Sequence, residues 1–387
     1  MPERKISAGW RRAYSGYLCL VPTLLLTACN AGHFGAESSR PWRNQPETPL
    51  LASTSNLQAG SDAELRDRIS NEVAAAWRRS DFYWLDSTAD EYVRTRAKTY
   101  SGKWRLSVFY SALSDQLSID WPIEWYGVGG TACRCAIPDP TRYEEANRRW
   151  DNTRRKVDEW VKQAPHSAHA KLVLAQMLVN RAWFYRGTGY AESVPPEARP
   201  LVSRYLEEAG NVLSKFRAVR FSDPEWFDIM FFVASAQSWS QPQIDTLVQD
   251  LQKFGQSYTT AYQSAASTLL PKWGGSYEAL ERFARQALGD SGDDGLEIYT
   301  RIYWNSVRAD IFPQARADWP TMRRGFELII GRYPDPRNLN GMAMYACAAG
   351  DGTTFREAMD RIGGNLTPNT WSISVDGCKA RYGIELR

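Results

Sequence analysis

From residue 61 onward the chain alternates apolar and polar positions with a helical period. Leu65, Ile69, Val73 and Trp77 fall four apart, which places them on one face, and Ser61-Asp62 ahead of them reads as the cap. Leu85, Ala89, Tyr92 and Val93 mark a second helix, and Leu106, Phe109, Tyr110 and Leu113 a third. Residues 115–141 break the pattern with Trp121-Pro122, Trp125-Tyr126, Gly127, Gly129-Gly130, Cys133, Cys135, Pro138 and Pro140, and are expected to form a long irregular insert. Helical spacing resumes over Tyr143–Gln163. It continues through Leu172–Trp183 with Gly187 as the stop, Leu201–Phe216, Trp226–Ala236, Ile244–Phe254 and Leu280–Leu288 behind a Ser276 cap. Ile298–Trp304, Trp319–Ile330, Leu339–Ala349 and Phe355–Ile362 follow, with a short C-terminal segment. Strand-like alternation is confined to a few residues near Trp371–Val375. The expected fold is all-α.

Helices of this length joined by short connections predict a helical-hairpin array, a tetratricopeptide-like (TPR-like) α-solenoid, with an irregular bundle as the alternative. Phe326 followed by Pro334, and Ala343 with Gly350-Asp351 and Ala358, have the spacing of a tetratricopeptide repeat. No clean repeat period persists. Pro165-His166-Ser167, Trp183-Phe184-Tyr185-Arg186-Gly187, Leu270-Pro271-Lys272-Trp273-Gly274-Gly275-Ser276, Tyr299–Trp304 and Ala346–Asp351 together resemble a bacterial family catalogued as domain-of-unknown-function 4034. That resemblance would extend over most of residues 62–380. It implies a tetratricopeptide-type helical fold and no particular activity.

The N-terminal region reads differently. Arg4, Lys5, Arg11 and Arg12 precede an apolar stretch from Leu18 to Leu26, too short to span a bilayer comfortably, and Leu26-Thr27-Ala28-Cys29 resembles a bacterial lipobox. On this reading residues 1–28 are a lipoprotein signal peptide and Cys29 is lipidated, so that acyl chains such as palmitate tie the protein to a membrane. The alternative is an ordinary signal or an uncleaved anchor. Asn30 after the cysteine favours the outer membrane over the inner, facing the periplasm. Residues 29–61, rich in Gly, Ser, Pro, Asn and Gln, form a flexible tether, and 62–387 the helical body.

Charge changes the picture only through that segment. The formal net charge is +3, and the excess of basic over acidic residues in 1–28 supplies all of it, so the exported body is neutral. Its Lys and Arg are dispersed, which disfavours nucleic acid. Four cysteines remain after Cys19 and Cys29. An oxidising compartment favours disulfides, with Cys347–Cys378 and Cys133–Cys135 the pairing closest in sequence.

Catalytic chemistry is hard to find. His166 and His169 are i, i+3, but the Ser167 cap puts His166 outside the helix, and both are expected at the surface. No metal motif, phosphate loop, dinucleotide fingerprint or nucleophile elbow occurs. Asp290–Gly295 starts like a calcium loop but has Arg301 where the closing Glu belongs, so a solvated turn is expected. No catalytic residue, metal or cofactor is assigned. Tryptophan is the outlier, with 16 residues. Most sit in helical patterns and should pack between helices. Trp121, Trp125 and Tyr126 in the insert and Trp273 in a Gly-rich loop are the candidate partner or ligand contacts. The expected function is a lipid-anchored envelope scaffold for another envelope protein, with a glycan-binding or glycan-active protein as the alternative.

Overall fold

The computed structural model describes residues 61–119, 126–128, 131–133, 140–187, 194–254, 257–289, 292–306 and 311–384. All of them belong to one compact unit, Glu47–Arg387. Sixteen helices occur among them. They are α1 (Ser61–Arg79), α2 (Phe82–Thr95), α3 (Arg105–Leu117), α4 (Pro140–Gln163), α5 (Ala168–Arg186), α6 (Arg199–Lys215), α7 (Glu225–Ala236), α8 (Gln241–Phe254), α9 (Thr259–Thr268), α10 (Tyr277–Leu288), α11 (Gly292–Ser306), α12 (Ile311–Ala315), α13 (Trp319–Arg332), α14 (Pro336–Ala349), α15 (Gly352–Ile362) and α16 (Val375–Arg381).

Among the described residues the protein is all-α apart from one short hairpin, β1 (Tyr126–Val128) paired antiparallel with β2 (Thr131–Cys133). The hairpin lies inside the segment expected to be irregular. No strand forms near Trp371–Val375, where a 3-10 turn over Pro368–Thr370 leads instead into α16. One helix has no counterpart in the apolar pattern, and one further expectation needs correction. Residues 259–268 form α9, which carries no large apolar stripe. Asp293 and Asp294 belong to the first turn of α11, and pair with Arg332 at the end of α13 at 3.2 and 2.9 Å. Their carboxylates sit where a helix dipole favours negative charge.

Helix starts follow their caps. Ser167, Ser276, Asp318, Asp335, Asp351 and Ser374 each accept a backbone N–H of the first turn, each such cap contributing about 1 kcal/mol. The α1 stripe packs as its period requires, with Leu65, Ile69, Val73 and Trp77 all buried.

Two layers result. α1, α3, α5, α7, α9 and α11 pack each against the next. Matching contacts, Tyr110 with His169 and Ser114 with Asn180, His169 with Asp223 and Trp183 with Phe232, and Glu225 with Tyr258 and Asp228 with Ser264, show that α3, α5, α7 and α9 run parallel. α4, α6 and α10 pack antiparallel on this layer, as Arg181–Asp151, Trp226 Nε1 to the Leu213 carbonyl, and Tyr303–Glu281 show. This is an array of helical hairpins. The starts of its inner helices therefore gather at one end.

The α2–α3 loop, residues 96–104, stitches that end together. Ser101 N–H donates to Asp62 Oδ1 at 2.7 Å, and its carbonyl accepts from Arg301 Nη2 at 2.9 Å and Asn338 Nδ2 at 3.3 Å. Trp104 Nε1 donates to the Ser257 carbonyl at 2.8 Å. Gly102 has φ +85°, and a Cβ there would lie 2.5 Å from the Tyr333 ring and 2.6 Å from Arg301. Only glycine fits the close approach. One loop thus links α1, α9, α11 and α14, whereas in a simple open array each repeat touches only its neighbours.

Candidate functional site

Three groupings of chemistry-bearing side chains stand out among the described residues, two at the inner-helix starts and one at the opposite end. The first is a buried polar chain that begins at His169. Expected at the surface, His169 is 3% exposed. The first turn of α5 faces α3 and the start of α7, and there the ring is fully engaged. Its Nδ1 lies 2.8 Å from Asp223 Oδ2 and its Nε2 2.9 Å from Asp90 Oδ1. Tyr110 Oη donates to the same Asp223 oxygen at 2.5 Å, and the Glu225 N–H donates to Asp223 Oδ1 at 3.0 Å. Burial alone would strip the imidazole of its proton. The hydrogen bonds to Asp223 and Asp90 outweigh it and push the pKa up to about 9. His166 stays outside the helix and exposed.

The chain continues on α7. Tyr258 Oη donates to Glu225 Oε2 at 2.6 Å, and Ser264 Oγ to Asp228 Oδ1. Burial, reinforced by Asp228, holds the Glu225 carboxyl well above its ordinary value. Burial raises Asp228 to about 6. Perturbed acids of this kind are common at catalytic centres, but each of these has a donor partner within the fold. No group of three His, Cys, Asp or Glu side chains able to hold a metal occurs among the described residues.

The second grouping is cationic and surrounds the 96–104 loop. Lys98 Nζ is buried without a hydrogen-bond partner, 4.7 Å over the Trp104 ring, and burial lowers its pKa to about 8. Lys103 of the same loop, Arg66 of α1 and Arg337 of α14 are each half-buried. Nothing in the sequence pattern marks them, because they come from three segments separated by up to 271 positions (66 to 337).

The third grouping contains one predicted contact. Trp273 ends a 3-10 turn, Pro271–Trp273, after α9. Gly274 follows at φ +86°, and a Cβ on Gly275 would lie 2.1 Å from the Leu269 carbonyl, so both glycines are needed for the turn to fold back. The Arg186 guanidinium lies 4.9 Å over the Trp183 ring and 5.9 Å over Trp273. Trp183 also meets Phe232, with centroids 4.5 Å apart, and Phe232 is 39% exposed. α5, α7 and the turn after α9 thus build an aromatic platform around one cation. Trp183 had been expected to pack between helices; it is only half-buried. Trp77, Trp160 and Trp226 are buried as expected.

Cys347 and Cys378 form a disulfide that ties α14 to α16. Cys133 lies in β2, while its candidate partner Cys135 falls outside the described residues, as do Cys29, Trp121 and Trp125; only the backbone of Tyr126 is described. No described helix is long and apolar enough to cross a membrane.

No curated protein and no solved structure matches the chain. A family model, a domain of unknown function (DUF4034), matches residues 144–263. The match is shorter than the motifs implied: it holds Pro165-His166-Ser167 and Trp183–Gly187, whereas the motifs at 270–276, 299–304 and 346–351 lie beyond it. It includes α5, α6, α7 and α8, and with them His169, Asp223, Glu225, Trp183, Arg186 and Phe232.

Proposed function

We propose that the protein is a lipid-anchored envelope protein, tied to the outer membrane through Cys29 and facing the periplasm, whose tetratricopeptide-like helical body is an interaction scaffold for a protein or peptide partner. The observation that carries the scaffold reading is the Trp183–Arg186–Trp273–Phe232 platform. Large aromatics and arginine are the side chains that dominate protein interfaces, and a half-exposed cluster of them around a cation suits a partner that presents apolar and acidic groups together. The Cys347–Cys378 disulfide supports export, since such bonds persist in oxidising compartments. The glycan-binding alternative rests on the same rings. Arg186 occupies the space between the two indoles, which leaves less flat ring face for a sugar and favours the peptide reading.

Cross-linking mass spectrometry in cells expressing wild type, Cys29→Ser, and the double variant Trp273→Ala/Phe232→Ala tests it. The expected result is a discrete protein cross-link lost in the double variant, and release of Cys29→Ser from the membrane fraction. An unchanged cross-link pattern in a folded double variant would overturn the platform. Retention of the double variant's partner together with loss of binding to envelope polysaccharide would establish the glycan reading instead.

A further inference from the structure

The stretch from the end of α6 toward α7 reads Lys215-Phe216-Arg217-Ala218-Val219-Arg220-Phe221, and its last five residues form a 3-10 turn, Arg217–Phe221. Contacts bring its cations to one surface. The Phe216 ring takes the Lys171 ammonium, from the first turn of α5, at 4.6 Å and the Lys215 ammonium at 5.7 Å. The Arg220 guanidinium lies 4.2 Å over the Phe221 ring. Arg217 Nη2 and Arg220 Nε reach the same oxygen, Asp250 Oδ2 on α8, at 2.8 and 3.5 Å. Lys253 stands one turn further along α8 and is exposed. Phe221, a wholly apolar side chain at the end of the turn, is 58% exposed.

Acids answer part of this charge. Asp250 is shared by two arginines, and Asp86, which acts on Lys171, already accepts from Trp160 Nε1 at 3.1 Å and Ser167 Oγ at 2.5 Å. Set against Lys171, Lys215, Arg217, Arg220 and Lys253, these two carboxylates leave the surface positive. The turn lies at the end where α5 and α7 begin. α1 begins at that end too, where Asp62 accepts the Ser101 N–H of the 96–104 loop. The chain that runs from Cys29 therefore enters the body, at Ser61, on the end that carries these cations. The aromatic platform lies at the other.

We propose that residues 215–221, with Lys171 and Lys253, dock the helical body on an anionic phospholipid surface, Phe221 entering the headgroup region and the cations meeting the lipid phosphates. A membrane interface suits an apolar ring flanked by arginines, because the ring leaves water while long basic side chains keep their charged ends among the headgroups. Each Lys or Arg held near such a surface adds to the attraction. An acidic protein segment would also answer the cations, but the entry of the Cys29 chain at this end favours the membrane. The proposal rests on the reading that the chain is held at a membrane, and it turns the aromatic platform away from the bilayer, toward a partner.

Hydrogen exchange of the full chain carrying Cys29→Ser provides the test, with vesicles of mixed phosphatidylglycerol and phosphatidylcholine, vesicles of phosphatidylcholine alone, and a polyglutamate peptide. Leaving out the acyl group separates docking by this surface from anchoring, and residues 1–28 are common to every protein compared. The variants are Phe221→Ser and Lys215→Gln/Arg217→Gln, with Arg148→Gln/Arg149→Gln as a matched change at exposed positions on α4. Exchange of the amides of 215–222 should slow at least about threefold on the anionic vesicles and not on phosphatidylcholine, in the parent and the α4 variant alike. Most of that slowing should be lost in the other two variants. No slowing on anionic vesicles overturns the proposal, as does equal slowing on phosphatidylcholine or unchanged slowing in circular-dichroism-verified Phe221 and Lys215/Arg217 variants. Slowing by polyglutamate alone overturns it too, and assigns the surface to an acidic protein. Mass spectrometry of the wild type for an acyl group on Cys29 tests the anchor by itself, so the two readings can fail separately.

Discussion

His169 Nδ1 lies 2.8 Å from Asp223 Oδ2, and both side chains are almost wholly shielded from water. They come from the starts of two neighbouring inner helices, so the pair pins α5 to α7. A protonated imidazole between Asp223 and Asp90 is a buried ion pair with a second, exposed acid at its rim, and most of its value lies on the Asp223 side, since the Asp90 side chain is 77% exposed.

His169→Gln should therefore destabilise the fold by about 3 kcal/mol, the cost of leaving Asp223 without its cation. The pH dependence has a definite sign. The imidazole pKa is raised from 6.5 to about 9 on folding, so its stabilisation is complete below pH 6.5 and is lost as pH rises through 9. Asp90 is lowered, chiefly by its hydrogen bond to His169, and its contribution disappears only in acid. Chemical denaturation at pH 6 and pH 10 should show a gap between wild type and variant that is wide at the lower pH and narrow at the higher. A gap independent of pH would contradict a charged His169.

Asp228 behaves oppositely. Its carboxyl is raised from 3.8 to about 6, so the folded state tolerates the protonated acid and is increasingly penalised as pH climbs from 3.8 through 6, with no further change above. Asp228→Asn keeps an oxygen to accept from Ser264 and removes the penalty. The variant should match wild type near pH 4 and exceed it by about 1–2 kcal/mol at pH 8. Thermal melts across that range read the crossover directly.

Gly325 carries a packing prediction. A Cβ there would lie 1.9 Å from Thr300 Oγ1 and 2.6 Å from the Leu296 carbonyl, because α13 runs against α11 with almost no space between backbones. Gly325→Ala should cost about 2 kcal/mol through overpacking, despite alanine's better helix propensity. Thr300→Ala in the same chain should recover only part of the loss, since the carbonyl cannot be trimmed. A double-mutant cycle by urea denaturation measures both terms.

The contrast between His169 and Trp273 shows what the sequence could carry. Trp273 stands between Pro271 and two glycines, a local signal of an aromatic in a tight turn, and the structure places it in such a turn beside Arg186. The helices with long apolar stripes, such as α1 and α13, were equally legible, because their period is local. His169 was misread because burial at a helix start depends on what packs there, and Asp90, Asp223 and Tyr110 approach from three other segments. α9 was missed for a related reason: Ala261, Ala265 and Ala266 make a small-residue face that lets α7 and α11 approach, and small residues carry little hydrophobic signal. The half-burial of Arg66, Lys103 and Arg337 had no sequence trace at all, since dispersed charges look alike until a fold covers them.

The Cys347–Cys378 bond offers a last test, because it links the C-terminal α16 to α14 across 31 residues. Both sulfurs are buried, and α16 is a helix of seven residues with one buried side chain, Cys378 itself. Such a helix has little apolar surface to hold it in place, so the covalent tie does most of the holding. Closing a loop of this length stabilises by about 3–4 kcal/mol in the chain-entropy account. Cys378→Ser should lower the melting temperature and, more specifically, release amide exchange protection in α16 while leaving α1 through α13 protected. Native-state hydrogen exchange on reduced wild type should give the same pattern. Uniform loss of protection along the whole chain would mean that α16 is held by packing rather than by the bond.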